Sequence, residues 1–246
     1  MEQRQTLDAP DGDATPRYRA FNDYYDFRSG VLGVQDATGR VDCRVIERAL
    51  RDARTVLDVG CGRGMYLTAL AARGKTMVGL DLSERNVALL TSRGYDVHRC
   101  DCVEDIPARF AGVDAAICAE FLEHLTPDEG RRLLQNVHGV LRDGGRLVVT
   151  VPFREDLSSG TVLCPRCHEA FHVHGHVRTF SEEALRAEAE AADFRRVAHY
   201  VVRPTRKLGL FRLLPFSLYL RHNARRARRH GRLIGLFEKI PAQRSW

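Results

Sequence analysis

The chain has 246 residues, 44% of them apolar and 28% charged, with a formal net charge of +6. These are ordinary values for one globular domain with a substantial core, and no run of about 18 apolar residues offers a bilayer span. Seven cysteines, an odd number, together with a polar N-terminal stretch that lacks an apolar leader, lead us to expect reduced thiols and a cytoplasmic setting.

Residues 1–16, rich in Asp, Gly, Pro and Gln, read as a disordered tail. Residues 17–54 read as an N-terminal arm, RYRAFNDYYDFR, followed by an amphipathic helix from Val41 to Arg51. Strands and helices then alternate. TVLDVG (55–60) is a buried strand, followed by a glycine turn and a helix from Met65 to Arg73. TMVGLDL (76–82) is a second strand, and Ser83 caps the helix after it. YDVHRCD (95–101) and VDAAICA (113–119) are the third and fourth strands, Pro127 to Leu141 is a helix, and RLVVTVP (146–152) is the fifth strand. RRVAHYVV (195–202), after a helix from about Ser181 to Ala192, and LIGLFEKI (233–240) bring the strands to seven. The alternation predicts an α/β fold, a doubly wound and mostly parallel sheet with its ligand at the carboxyl ends of the strands. The expected organisation is a cofactor-binding core over 55–152, a Cys/His insertion over 153–180, a core helix and strand over 181–204, a basic insertion over 205–231, and a last strand and C-terminus over 232–246.

The loop after the first strand, DVGCGRG, carries Asp58, Gly60, Gly62 and Gly64. Glycines there let the backbone turn sharply and approach a ligand without Cβ contacts. Asp81 ends the second strand, where a carboxylate can take both hydroxyls of a ribose, and Asp101 ends the third, at the expected edge of an adenine. With these landmarks the chain resembles the class I S-adenosylmethionine-dependent methyltransferases, over roughly residues 50–204. The resemblance implies a Rossmann-like seven-stranded sheet and S-adenosyl-L-methionine as cofactor. It places the cofactor against Asp58, Gly60, Cys61, Gly62, Gly64, Asp81, Leu82, Asp101 and Cys102.

CAEFLEHL, after the fourth strand, puts Glu120, Glu123 and His124 at i, i+3 and i+4, one face of a helical turn. A similar E-x-x-E-H turn holds a divalent cation in ubiquinone-type O-methyltransferases. Three readings stay open: His124, with Glu120, as a general base on an acceptor hydroxyl; the three residues together as a metal site; or helix-terminal carboxylates beside a packing histidine.

CPRCHEAFHVHGH (164–176) matches both the C-x-x-C-H of covalent haem and a compact zinc site. Covalent haem needs export, which the rest of the sequence does not suggest; a loop of solvated histidines and free thiols is the third reading. Methyltransferases of bacterial glycan and secondary-metabolite pathways show a similar C-x-x-C…F-H-x-x-G-H-x-R-x-F pattern. That resemblance implies a structural Zn2+ held by Cys164, Cys167, His172 and His176, ordering a loop beside the acceptor pocket, with His168 and His174 outside the ligand set.

Residues 203–232 hold nine arginines and one lysine with no acid, +10 in all, so the rest of the chain is about −4. Within them, residues 206–232 join an apolar stretch, Leu208 to Leu220, to an arginine cluster. This composition suits an anionic membrane surface or lipid-linked substrate at the inner face of a membrane, a lid with a basic rim, or an RNA backbone. The expected function is methyl transfer to oxygen on a small-molecule, glycan or lipid-linked acceptor. RNA methylation through the arginine segment, and a zinc-stapled binding scaffold without turnover, are the alternatives.

Overall fold

The computed structural model describes residue 19, residues 39–202 and residues 231–241. The expected tail, most of the arm and the basic insertion lie outside the described residues.

The elements that position the site run as follows. Helix α1 (Gly39–Ala49) leads into β1 (Thr55–Val59), α2 (Met65–Ala71), β2 (Thr76–Asp81), α3 (Glu84–Thr91) and β3 (Val97–Arg99). Next come β4 (Val113–Ala119), α4 (Pro127–Val140) and β5 (Leu141–Phe153). A short ribbon of β6 (Thr161–Leu163) and β7 (Ala170–His172) follows, then α5 (Glu182–Glu190), β8 (Phe194–Val202) and β9 (Gly231–Lys239). The main sheet has seven strands in the order β3-β2-β1-β4-β5-β9-β8. The pairs from β3 through β5 are parallel, and β9 runs antiparallel to both β5 and β8. The expected α/β architecture is therefore the observed one, with a mixed sheet because the last strand enters reversed between its neighbours.

Alternation along the strands builds two apolar layers, since successive side chains point to opposite faces. Leu57, Val59, Leu147 and Val149 pack with Leu133, Leu134 and Val137 of α4 and Leu185 of α5. Val56, Ile117 and Val148 face the other way, with Ile46 and Leu50 near one end of that layer and Leu67 and Leu70 of α2 over it. Both sheet faces are covered, so the central strands read as near-continuous apolar runs. The chain reverses its winding direction between β1 and β4, which opens a crevice at the carboxyl ends of those strands.

Local chemistry sets where the helices begin. Ser83 accepts from the Asn86 backbone N–H, and Ser181 from that of Ala184. Thr126 and Glu129 form a reciprocal capping box on α4, with Pro127 at its first position. At the opposite end of the sheet Asp114 accepts from the backbone N–H groups of Thr55 and Arg54 and from Arg142. Those donors, the Thr55 N–H foremost, hold its carboxyl well below the usual range. No helix among the described residues is long and apolar enough to cross a membrane.

Candidate active site

The crevice at the ends of β1, β2 and β4 is lined by the glycine loop and two buried carboxylates. Gly60, Gly62 and Gly64 all have positive φ, at 69°, 53° and 78°. A Cβ on Gly60 would meet the Phe121 ring at 2.8 Å, and one on Gly64 would meet Leu90 at 2.7 Å. A Cβ on Gly62 meets nothing within 4 Å, so this glycine faces open space, as a loop built to approach a ligand should. Asp81 Oδ2 accepts from the Gly62 N–H at 2.6 Å, while Oδ1 accepts from the Ser83 N–H at 2.9 Å and from Asn86 Nδ2 at 3.2 Å. The carboxylate is thus held rigidly at the end of β2, on the rim of the glycine loop.

Asp58 plays a different part. Its Oδ2 accepts from the Leu67 N–H at 3.0 Å, anchoring the first turn of α2 below the loop. Burial raises its carboxyl to about 7, against the opposing pull of that N–H, and nearby Asp81 raises it further. Asp101 accepts from Arg19 Nε at 2.7 Å, and Arg19 also approaches Glu104. The outer edge of the crevice is therefore met by a residue of the N-terminal arm. Cys61 and Cys102 are buried, and Leu82 is partly buried against the core. These three support the walls by packing.

The turn after β4 departs from the sequence expectation. Residues Leu122–His124 form a single 3₁₀ turn, and Glu120 sits before it with φ at 51°. That left-handed backbone turns Glu120 away from its presumed partners. Its Oε1 accepts from Thr150 Oγ1 at 2.8 Å and from Arg232 Nε at 2.9 Å, an ion pair to a buried arginine of β9. Glu123 instead points inward. Its side chain is buried, and neither carboxylate oxygen has a hydrogen-bond partner on another described residue. Desolvation, then the Glu120 charge, pushes its carboxyl well up.

The insertion after β5 closes over this turn. The Val177 N–H donates to the Glu123 carbonyl at 2.9 Å, and Arg178 Nε to the Leu122 carbonyl at 3.1 Å. His176 then stands edge-on to His124, with ring centroids 4.9 Å apart. One potential ligand atom from each of Glu123, His124 and His176 lies within 4.8 Å of the others, and a second such set is Glu155, His172 and His176.

The hydrogen-bond network distinguishes the two sets. His176 Nδ1 lies 2.5 Å from Glu155 Oε2, so with the proton on Nδ1 the Nε2 carries the lone pair. His124 donates a ring N–H to the Gly175 carbonyl, which likewise leaves its other nitrogen as the acceptor. Both rings thus have the outer partner that fixes a metal-ligating histidine. His172 Nδ1 accepts from the backbone N–H groups of His174 and His176, both at 3.3 Å. Its proton is therefore on Nε2, which faces Glu155 Oε1 at 3.9 Å, so the ring presents no free lone pair on that side. Glu123, His124 and His176 fit a cation: two imidazole lone pairs and one otherwise unsatisfied carboxylate. His124 is also held neutral, its pKa lowered to about 3 by burial, with His176 adding to the effect.

Of the four residues expected to hold zinc, His172 and His176 come together, with stacked rings 4.8 Å apart. Cys164 and Cys167 do not join them. In the β6–β7 ribbon Thr161 pairs with His172 and Leu163 with Ala170, so the cysteines occupy the loop at its far end. A rise of about 3.3 Å per residue along the ribbon puts that loop on the order of 10 Å from His172. Sequence reasoning missed Glu155, Arg232 and Arg19. Glu155 and Arg19 belong to no motif. Arg232 was grouped with the arginine cluster, although its place at the head of an apolar strand was a usable sign. The remainder of that cluster, with its membrane and RNA readings, lies outside the described residues.

The comparisons with known proteins agree with this geometry. The model of a methyltransferase domain family matches residues 37–199. The chain belongs to that family, and residues 37–199 form a class I S-adenosylmethionine-dependent methyltransferase domain. It is similar to a ubiquinone biosynthesis O-methyltransferase of Chromobacterium violaceum, 42% identical over 82 residues, which cover 31% of this chain and 35% of the relative. The protein of the same name from Pseudomonas syringae pv. tomato is 32% identical over 110 residues, covering 41% and 45%. This chain thus aligns with about a third to a half of the length of those relatives. Among solved structures, the 1,6-didemethyltoxoflavin-N1-methyltransferase of Burkholderia thailandensis, with S-adenosylhomocysteine bound, superposes with a TM-score of 0.62 at 25% identity, covering 96% and 94% of the two chains.

Proposed function

We infer that this enzyme methylates a hydroxyl oxygen of a small-molecule, glycan or lipid-linked acceptor, with a divalent cation held by Glu123, His124 and His176 beside the acceptor. The carrying observation is the buried Glu123 carboxylate, without a hydrogen-bond partner on another described residue and flanked by two histidines whose other nitrogens are already engaged. In this reading Asp81 holds the ribose hydroxyls and the open face of Gly62 receives the methionine portion of the cofactor. Asp58 and Asp81 supply negative potential for its cationic groups, and Asp101 with Arg19 borders the adenine.

The acceptor oxygen attacks the methyl carbon in line with the C–S bond, which breaks to leave the neutral thioether of S-adenosylhomocysteine, and the acceptor hydroxyl releases its proton to solvent. The sulfonium is already activated, so alignment and exclusion of water supply most of the rate. A bound cation lowers the pKa of an acceptor hydroxyl that it touches. His124 suits the role of ligand better than that of general base, because an imidazole whose conjugate acid titrates near 3 takes a hydroxyl proton poorly. The relatives named as O-methyltransferases support oxygen as the acceptor atom. The Burkholderia protein, named for methylation at nitrogen and aligned over nearly its whole length, supports nitrogen as a second reading.

The test is S-adenosylhomocysteine formation across paired hydroxyl and amine acceptors, with metal analysis of the wild type and Glu123→Gln. We expect a hydroxyl acceptor, and a loss of bound metal together with a fall in rate on the order of 100-fold in the variant. A variant with unchanged metal content and rate rejects the cation, and exclusive turnover of amines rejects the oxygen assignment.

A further inference from the structure

The turn after β4 carries two glutamates, and the structure gives them different tasks. Glu120 is committed to the far wall: its Oε1 meets Thr150 Oγ1 at 2.8 Å and Arg232 Nε at 2.9 Å, and the Arg232 side chain is only 8% exposed. The left-handed backbone at Glu120, φ 51°, keeps its carboxylate on that side. Glu123 is buried, and neither of its carboxylate oxygens meets a hydrogen-bond partner on another described residue. The third place beside Glu123 and His124 is taken by His176 of the insertion, with one ligand atom of each within 4.8 Å of the others. Among the described residues no such set contains Glu120.

Exchanging Glu120 for His176 changes the donor set. Two carboxylates and one imidazole are rich in hard oxygen donors, which suit magnesium and calcium. One carboxylate and two imidazoles suit zinc, cobalt, nickel or iron(II) instead. Burial works in the same direction. Magnesium dehydrates reluctantly and usually keeps several waters in a near-octahedral shell. With Glu123 1% exposed and the His176 side chain 11% exposed, the cluster suits a largely hydrated ion poorly. Zinc accepts three protein ligands and one open position, which an acceptor oxygen or a water can fill.

We propose that the cation at Glu123, His124 and His176 is a borderline divalent ion of the zinc and cobalt type rather than magnesium, and that Arg232 sets this preference by keeping Glu120 out of the ligand set. The inference rests on the cation reading given above and adds to it the class of ion and the residue that selects it. Arg232 acts through Glu120, as a positioning residue.

The experiment uses the full chain stripped of metal, saturated with S-adenosylhomocysteine and titrated separately with cobalt(II) and magnesium, read by calorimetry and visible absorption. The expected result is cobalt bound about 100-fold or more tighter than magnesium at a site lost in Glu123→Gln, with the ligand-field bands of nitrogen and oxygen donors. Arg232→Met releases Glu120 and should narrow the cobalt-to-magnesium preference by about 10-fold or more. His176→Asp supplies a second carboxylate directly and should narrow it likewise without touching β9. S-adenosylhomocysteine binding reports the folding of each variant. Magnesium bound as tightly as cobalt, at a site lost in Glu123→Gln, overturns the proposal and leaves the cation reading standing. Titrations of both ions that Glu123→Gln leaves unchanged overturn the cation reading and the proposal together. An undiminished preference in folded Arg232→Met removes Arg232 from the selection, and the same result in His176→Asp overturns the donor-set argument.

Discussion

Asp58 shows how one acidic residue of a glycine motif can serve the scaffold as much as the ligand. Its carboxylate holds the start of α2 through Leu67, in a site dry enough to raise its pKa to about 7. A carboxyl whose folded pKa lies above its unfolded value binds more protons in the native state. The associated stability is present below about pH 4 and is lost as pH rises through 7. Asp58→Asn keeps an acceptor for the Leu67 N–H and removes the titration. Urea-unfolding midpoints of the wild type should therefore fall relative to the variant between about pH 4 and pH 7; parallel curves would contradict the raised pKa. Glu120 gives a second lesson at this scale. Its spacing to Glu123 and His124 is that of one helical face, but one positive φ sends its side chain to Arg232, out of the constellation that the spacing suggests.

At the scale of elements, capping and covering loops matter more than helix propensity. Helix α4 begins immediately after the Glu123–His124 turn, and its capping box fixes where that turn ends. Thr126→Ala removes the hydroxyl that accepts from the Glu129 N–H, and should cost about 1 kcal/mol in chemical denaturation. An effect below a few tenths would mean that Pro127 and the tertiary contacts define the helix start without it. The insertion over 153–180 was legible as an insertion from its histidines and cysteines, yet its internal structure was not. The ribbon is held by backbone pairing that leaves no hydrophobic alternation in so short a sequence. It therefore separates cysteines from histidines that are only eight residues apart in the chain, Cys164 from His172.

For the whole molecule, the cofactor crevice is a product of the strand order, and its occupant should stabilise the fold by mass action. S-adenosylhomocysteine at about 100 times its dissociation constant should add about 2.7 kcal/mol to unfolding, visible as a rise in melting temperature. Asp81→Ala, which removes the carboxylate on the rim of the glycine loop, should abolish that rise and weaken calorimetric binding by at least about 10-fold. Undiminished affinity would remove Asp81 from the ribose site.

Read by itself, the sequence determined the seven-stranded α/β sheet, the glycine loop and the carboxylate at the end of each early strand. Those features are local: strand runs, helix caps and loop residues are written within a few positions of one another, and the β/α alternation leaves few topologies for them. Only the tertiary structure decided which polar groups meet after β4. His176, held by Glu155, reaches Glu123 and His124 because a loop closes across the turn, and Arg232 claims Glu120 because the last strand enters reversed beside β5. Such meetings depend on long-range closure and on single backbone dihedrals, to which the spacing of residues along a chain is blind.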